Sequence, residues 1–192
     1  MIHRNKKSFF SVKTSVKTIS VILSTVFMSH IALASNDTSV GFLAGLGVYN
    51  KGYGSQFSLG GNVRHKFLPE FGAGVTFTYA SLANSMLGIN YSSNVKHIDA
   101  DFDYYLADLP GLWFGPRLGI GILSTSFDFT LNTTAQSISD SSTAFEVGPA
   151  VGYDFMLHEN FSVGLDLSYI WAFYSGLTVG AFQALGAIKA HF

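Results

Sequence analysis

The sequence predicts an all-β chain folded as an eight-stranded antiparallel up-and-down β-barrel. Three observations predict it. Eight runs place a large apolar residue at every second position, the residues between them are mostly small, and short connections alternate with longer ones. Period two is the strand repeat, because successive side chains leave a pleated backbone on opposite faces. Sustained over eight runs, it is a stronger strand signal than any single segment gives. Composition agrees: 20 Gly, 18 Phe and nine Tyr disfavour long helices and favour pleated structure.

Residues 1–34 read as a secretory signal peptide. His3, Arg4, Lys6, Lys7, Lys13 and Lys17 form a basic region with no acidic residue, an apolar stretch occupies residues 19–33, and Ala32-Leu33-Ala34 offers a small-x-small cleavage site. A membrane-spanning helix needs about 20 predominantly apolar residues. This stretch is shorter and is interrupted by Ser24, Ser29 and His30. Cleavage after Ala34 is therefore expected, leaving residues 35–192 as a single barrel domain.

The first strand sets Val40, Phe42, Ala44, Leu46 and Val48 against Ser39, Gly41, Gly45 and Gly47. The second sets Phe57, Leu59, Gly61 and Val63 against Ser58, Gly60, Asn62 and Arg64. In the third, Phe71, Ala73, Val75, Phe77 and Tyr79 oppose Gly72, Gly74, Thr76 and Thr78. The fourth alternates Ile98, Ala100, Phe102 and Tyr104 with His97, Asp99, Asp101 and Asp103. Leu118, Ile120 and Ile122 against Arg117, Gly119 and Gly121 make the fifth. The sixth pairs Phe145, Val147, Val151, Tyr153 and Phe155 with Glu146, Gly148, Gly152 and Asp154. The seventh is the clearest, with Phe161, Val163, Leu165, Leu167, Tyr169, Trp171 and Phe173 against Ser162, Gly164, Asp166 and Ser168. Phe182, Ala184, Ile188, Ala190 and Phe192 against Gln183, Lys189 and His191 complete the set.

Short turns are expected at residues 67–70, 107–111 and 157–160, and long loops at 81–94 and 130–142. Two further connections on the long-loop side, near 50–55 and 174–178, are short. Short turns at one end and longer loops at the other are the pattern of barrels that cross a bacterial outer membrane.

The faces say which solvent surrounds the barrel. A soluble ligand-binding barrel turns its charges outward, but only 12% of this sequence is charged and the non-apolar face is mostly Gly, Ala, Ser and Thr. Such a face is too small and too poorly charged for water. It suits the narrow interior of an eight-stranded barrel, which side chains nearly fill. The apolar face then meets lipid. Phe67, Phe71, Tyr104, Phe155, Phe161 and Phe192 are expected in a periplasmic aromatic girdle, and Tyr79, Phe145, Tyr169, Trp171 and Phe173 toward the other interface. After Ala34 the chain holds six basic against 12 acidic residues, a net of −6 that argues against a nucleic-acid partner. With no cysteine there are no disulfides and no thiol chemistry.

The glycine-rich alternating segment Gly148-Pro149-Ala150-Val151-Gly152-Tyr153-Asp154-Phe155, its continuation to Tyr169, and the ending at 186–192 carry a family resemblance. The chain resembles the small outer-membrane β-barrel superfamily that includes the OmpA transmembrane domain and OmpX. The resemblance spans residues 40–192 and implies a bacterial outer-membrane location with outer-membrane lipid and lipopolysaccharide as surroundings. It also implies that Phe192 is the terminal aromatic signal read by the barrel-insertion machinery. No residues remain for a periplasmic peptidoglycan-binding domain of the kind OmpA carries.

Arg64, Lys66, Asp99, Asp101, Asp103, Arg117, Asp154, Asp166 and Lys189 all fall on the inward parity. A hairpin turning about Leu109 sets Asp101 opposite Arg117, and Arg64 and Lys66 are expected to face Gly74 and Gly72. Buried charges must be paired. Two readings follow: a structural ion-pair plug, or a gated ion path.

Catalytic readings are poorly supported. A lipid A deacylase needs a His-x-Ser pair so that a base adjoins the hydroxyl, and none of His65, His97, His158 or His191 supplies one. A palmitoyltransferase-like site would combine His97 with Asp140-Ser141. An omptin-like protease needs a longer barrel with more strands. Along His97-x-Asp99-x-Asp101-x-Asp103, alternate residues stand about 7 Å apart, too far to share one small ion. No catalytic residue, metal or cofactor is nominated. The leading function is a non-enzymatic envelope and surface protein meeting a host or surface ligand through loops 81–94 and 130–142, the first of which carries Leu82, Met86, Leu87, Ile89 and Tyr91. The alternatives are a narrow OmpW-like channel for small or apolar solutes and, last, a lipid-modifying enzyme.

Overall fold

The computed structural model describes residues 37–50, 54–86, 89–131 and 134–192, so the expected signal peptide lies outside the described residues. Eight strands follow in chain order: β1 (Thr38–Tyr49), β2 (Gly54–Leu68), β3 (Phe71–Met86), β4 (Ile89–Tyr105), β5 (Leu112–Leu131), β6 (Thr134–His158), β7 (Phe161–Tyr174) and β8 (Leu177–His191). Each pairs antiparallel with the next, and β8 pairs with β1 to close the barrel. Closure leaves no open edge in the paired wall, the condition for a sheet surrounded by lipid. The closing seam runs from Ser39 opposite His191 to Tyr49 opposite Ala181. Beyond it the Phe192 amide donates to the Thr38 carbonyl at 2.8 Å, so the last residue fastens the first strand.

The expected faces appear on every strand. Phe42, Leu46, Phe57, Phe77, Phe102, Ile120, Phe145, Leu165, Trp171 and Ile188 are exposed on the outer wall. Asn62, Arg64, Thr76, Asp101, Arg117, Glu146, Asp166 and Lys189 are buried inside. An apolar exterior around a polar interior inverts the arrangement of a soluble barrel, and only a hydrocarbon surrounding stabilises it. At the turn before β5, Gly111 takes φ 94° and its carbonyl accepts the Asp154 amide at 2.9 Å, tying that turn to β6. Gly176, at φ 79°, permits the two-residue turn between β7 and β8.

The two long loops need correction. Residues 81–86 continue β3 against β4, with Ser81 opposite Asn94 and Met86 opposite Ile89. Residues 134–142 are likewise strand, with Ser142 opposite Leu123 and Thr134 opposite Leu131. Polar, serine-rich composition reads as loop when local propensity is the guide, but cross-strand pairing decides strand formation. The β2–β3 register ends at Ser58–Ala80 and the β6–β7 register at Phe145–Phe173. Strands β3 to β6 therefore carry a four-stranded extension past the closed barrel, and among the described residues no strand pairs with its outer edges at 81–86 and 134–144.

A second difference lies inside. Leu43, Ile170 and Leu185 point inward and are wholly or almost wholly buried, although glycine and ions were expected on that parity. A lumen this narrow must be filled, and a layer without charge partners is filled most cheaply by apolar side chains.

Candidate functional site

The lumen is the one enclosed, chemically dense region of the described residues, and it is built in three layers. In the periplasmic layer, register alone aligns the first ion pair: Asp101 on β4 lies opposite Arg117 on β5. Arg117 donates from Nε to Asp101 at 2.7 Å and from a terminal nitrogen to Asp166 at 2.7 Å. Arg64 reaches the same Asp166 at 3.1 Å, with Asp103 at 3.4 Å and Asp101 at 3.7 Å. Thr76 adds a hydroxyl donor to Asp101. Two guanidiniums thus share three carboxylates drawn from β4 and β7, joining strands that are not neighbours. Arg64 can cross because it and Lys66 face Gly74 and Gly72, which present no side chain. A Cβ added at Gly74 would press on the Arg64 side chain.

The guanidinium of Arg64 lies over the ring of Trp113, 3.5 Å from its centroid. Trp113 is fully buried, and the space its indole needs is left by Gly152 on the adjacent strand. Lys189 pairs with Asp154 at 2.6 Å and lies 5.6 Å from the same indole. Of the nine charges expected in one network, Arg64, Asp101, Asp103, Arg117 and Asp166 come together. Lys189 and Asp154 make a separate pair. Lys66 instead lies over the ring of Tyr105 at 3.9 Å. Asp99 is buried as well, but it makes no ion pair among the described residues and stands outside the cluster.

A second polar cluster occupies the outer half. His97 Nδ1 lies 2.9 Å from Glu146, and its Nε2 lies 3.0 Å from the Tyr49 hydroxyl. Gln183 donates weakly to Tyr49 and to Thr78, at 3.5 and 3.4 Å. Above it Tyr49, Val95, Ala144, Ala172, Val179 and Ala181 form an apolar collar. The cavity left beneath this collar is about 10 Å³, room for no more than one water. Between the two polar clusters sit Leu43, Leu185 and Ala187.

Trp113, His97, Glu146 and Tyr49 were absent from the expected network, yet all four lie on the inward parity. Trp113 is two steps of two from Arg117, and counting back from that arginine would have placed it inside. The three residues of the outer cluster come from β1, β4 and β6, so no local pattern announces their meeting. Because Glu146 is fully buried against His97, Glu146→Ala leaves a buried donor unpaired. It is expected to cost about 1–3 kcal/mol in unfolding free energy, read as a lower urea midpoint.

The palmitoyltransferase-like pairing of His97 with Asp140-Ser141 is not assembled among the described residues. His97 points into the lumen, in a row with Gly121 and Ala144. Asp140 lies four residues beyond Ala144, about 13 Å along the strand, where it is exposed and accepts from the Ser141 amide. Among the described residues, no three His, Asp or Glu side chains are grouped to hold a metal ion.

A closed eight-stranded barrel, greasy outside and ionic within, defines a transmembrane β-barrel of the outer-membrane class. Residues 19–187 match the model of the outer membrane protein beta-barrel domain, and the chain belongs to that family. Its place is therefore the bacterial outer membrane. Among solved structures it is similar to Ail, the attachment invasion locus protein of Yersinia pestis, crystallised with the heparin analogue sucrose octasulfate. That match has 20% identity and TM-score 0.55, covering 81% of this chain and 97% of that one. A major outer membrane protein of Thermus thermophilus matches at 16% identity and TM-score 0.54, over 81% and 99%. Neisserial surface protein A matches at 14% and 0.53, over 82% and 98%. Among curated proteins no match is found. At these identities the likeness is one of fold.

Proposed function

We propose that the protein is a non-enzymatic, non-conducting surface barrel. It serves as a structural member of the outer membrane and meets extracellular partners through the extension of β3 to β6. The observation that carries this reading is a lumen closed by three successive layers above a periplasmic vestibule of about 380 Å³ lined by Arg64, Lys66, Tyr105 and Asp154. Ion pairs and Trp113 occupy one end, Leu43 and Leu185 the middle, and the apolar collar the other end. With the interior occupied, the extension is the surface left for recognition. Its edges at 81–86 and 134–144 offer backbone N–H and C=O groups to an extended polypeptide. Ser139, Ser141, Ser142 and Thr143 keep the longer edge wet and exposed. A net of −6 beyond Ala34 disfavours polyanions as partners.

Planar-bilayer recording separates this reading from the narrow-channel alternative. The wild-type protein is expected to give no discrete conductance steps, and steps of stable amplitude would decide for the channel. Replacing residues 84–91 and 129–136 with two-residue turns is expected to abolish attachment to host surfaces while the heat-modifiable gel shift persists. Unchanged attachment would remove the extension from the account. A lipid A mass spectrum altered by the protein would reinstate an enzyme.

Processing belongs to the same proposal: the mature chain starts at Ser35, and the barrel-insertion machinery reads Phe192 at its end. Mass spectrometry of the membrane-extracted protein is expected to find Ser35 as the first residue. An intact leader would overturn that.

A further inference from the structure

The plug leaves a bowl at the short-turn end of the barrel. This vestibule of about 380 Å³ is walled by Arg64, Lys66, Tyr105 and Asp154 and rimmed by Pro69 and Pro110. That size lies at the lower end for small-molecule sites. Backbone bonds hold the rim in place. The Tyr105 amide donates to the Glu70 carbonyl at 2.8 Å, and the Asp154 amide to the Gly111 carbonyl at 2.9 Å. Pro69 and Pro110 stiffen the two turns further. A wall fixed in this way loses little freedom when a ligand enters.

The charges of the bowl are separated. Arg64 and Lys66 stand on β2, and Asp154 stands on β6. In a closed ring of eight strands these two are diametrically opposite. Arg64 is buried and cannot release its proton. Its Nη1 has no hydrogen-bond partner among the described residues, although buried donors are nearly always satisfied. Lys66 is half-buried, with its ammonium 3.9 Å from the centroid of the Tyr105 ring. Across the bowl Asp154 pairs with Lys189 at 2.6 Å, yet its side chain stays 13% exposed. A carboxylate has about four acceptor positions, so one ammonium does not exhaust it. Tyr105 and Met156 add apolar surface to the wall.

We infer that the vestibule binds a short zwitterionic peptide of dipeptide size, its terminal carboxylate on Lys66 and Arg64 and its terminal ammonium on Asp154. Eight strands about 4.8 Å apart and tilted near 40° set opposite walls about 16 Å apart. Side chains reaching in from both walls narrow that to a gap that two extended residues bridge, about 7 Å. A single amino acid carries both charges on one carbon and cannot touch both poles. A ligand of zero net charge also leaves the ion pairs beneath it balanced. The plug closes the way outward, so the peptide is bound and not passed. The site rests on the outer-membrane location and is independent of the proposed role of the extension.

Protein extracted from outer membranes in detergent is titrated calorimetrically with L-alanyl-L-alanine, its N-acetyl derivative, its C-terminal amide and inorganic phosphate. Saturable binding is expected for the free dipeptide, weakened about tenfold by either block, the value of one charge-assisted hydrogen bond. The acetylated ligand separates a free dipeptide from the C-terminal end of a longer chain. Lys66→Gln is expected to weaken the free dipeptide by a similar factor and to shrink the effect of amidation, and Lys66→Arg to restore both. Lys66 lies outside the plug, so both variants are expected to keep the heat-modifiable gel shift. The blocked ligands test the site on the wild-type protein without any variant. No saturable binding, blocked and free dipeptides of equal affinity, phosphate bound as tightly as the dipeptide, or unchanged affinity in folded Lys66→Gln would each overturn the site.

Discussion

Arg117→Ala is expected to lower the unfolding free energy by about 3–5 kcal/mol, because it strands two buried carboxylates. Asp101 and Asp166 are each about 1% exposed, and each loses a 2.7 Å charge-assisted bond. Arg64 remains within 3.1 Å of Asp166 and 3.7 Å of Asp101, so it compensates only in part. The urea midpoint of the folded protein in lipid vesicles measures the loss. The same variant removes a side chain that spans the lumen, so brief conductance events are expected where the wild type gives none. An unchanged midpoint would mean that the guanidinium is not a structural cross-link, and the plug would have to be sought elsewhere. Arg117→Met separates charge from volume: it fills the space and still leaves the carboxylates unpaired, so the midpoint stays low while the conductance closes.

Trp113→Ala is expected to be of similar size, about 3–5 kcal/mol for truncating a fully buried Trp. The indole is the platform for Arg64 and neighbours Lys189. Its removal opens a cavity beside Gly152 and frees the Arg64 guanidinium from a cation–π contact. Trp113→Phe should recover most of the midpoint, since a ring face returns to Arg64. A double-mutant cycle with Arg64→Met isolates the stacking contribution. If the two losses simply add, Trp113 acts by volume alone and the platform has no separate value.

Much of this architecture was legible because each strand declares its own faces. Counting in twos along β7, from Phe161 to Phe173, fixes which residues meet lipid without reference to any neighbour. The pairing of Asp101 with Arg117 was also legible, because a tight turn sets the register of a hairpin. The extension of β3 to β6 was not. It is rich in serine, threonine and asparagine, whose local preference is for turns, and only the ladder with the neighbouring strand holds it extended. The outer cluster of Tyr49, His97 and Glu146 escaped for a related reason, since residues on β1, β4 and β6 meet only across a closed lumen.

The sequence alone determined the kind of solvent around this protein, the number of crossings and the side of the wall on which each residue stands. These follow from the two-residue repeat of a strand and from the cost of exposing charge to hydrocarbon. Which inward residues touch, and whether they fill the interior, was decided only by closure. Curling eight strands into a narrow cylinder brings side chains more than a hundred positions apart within hydrogen-bonding range, as with Arg64 and Asp166, and no local pattern records the circumference that sets those distances.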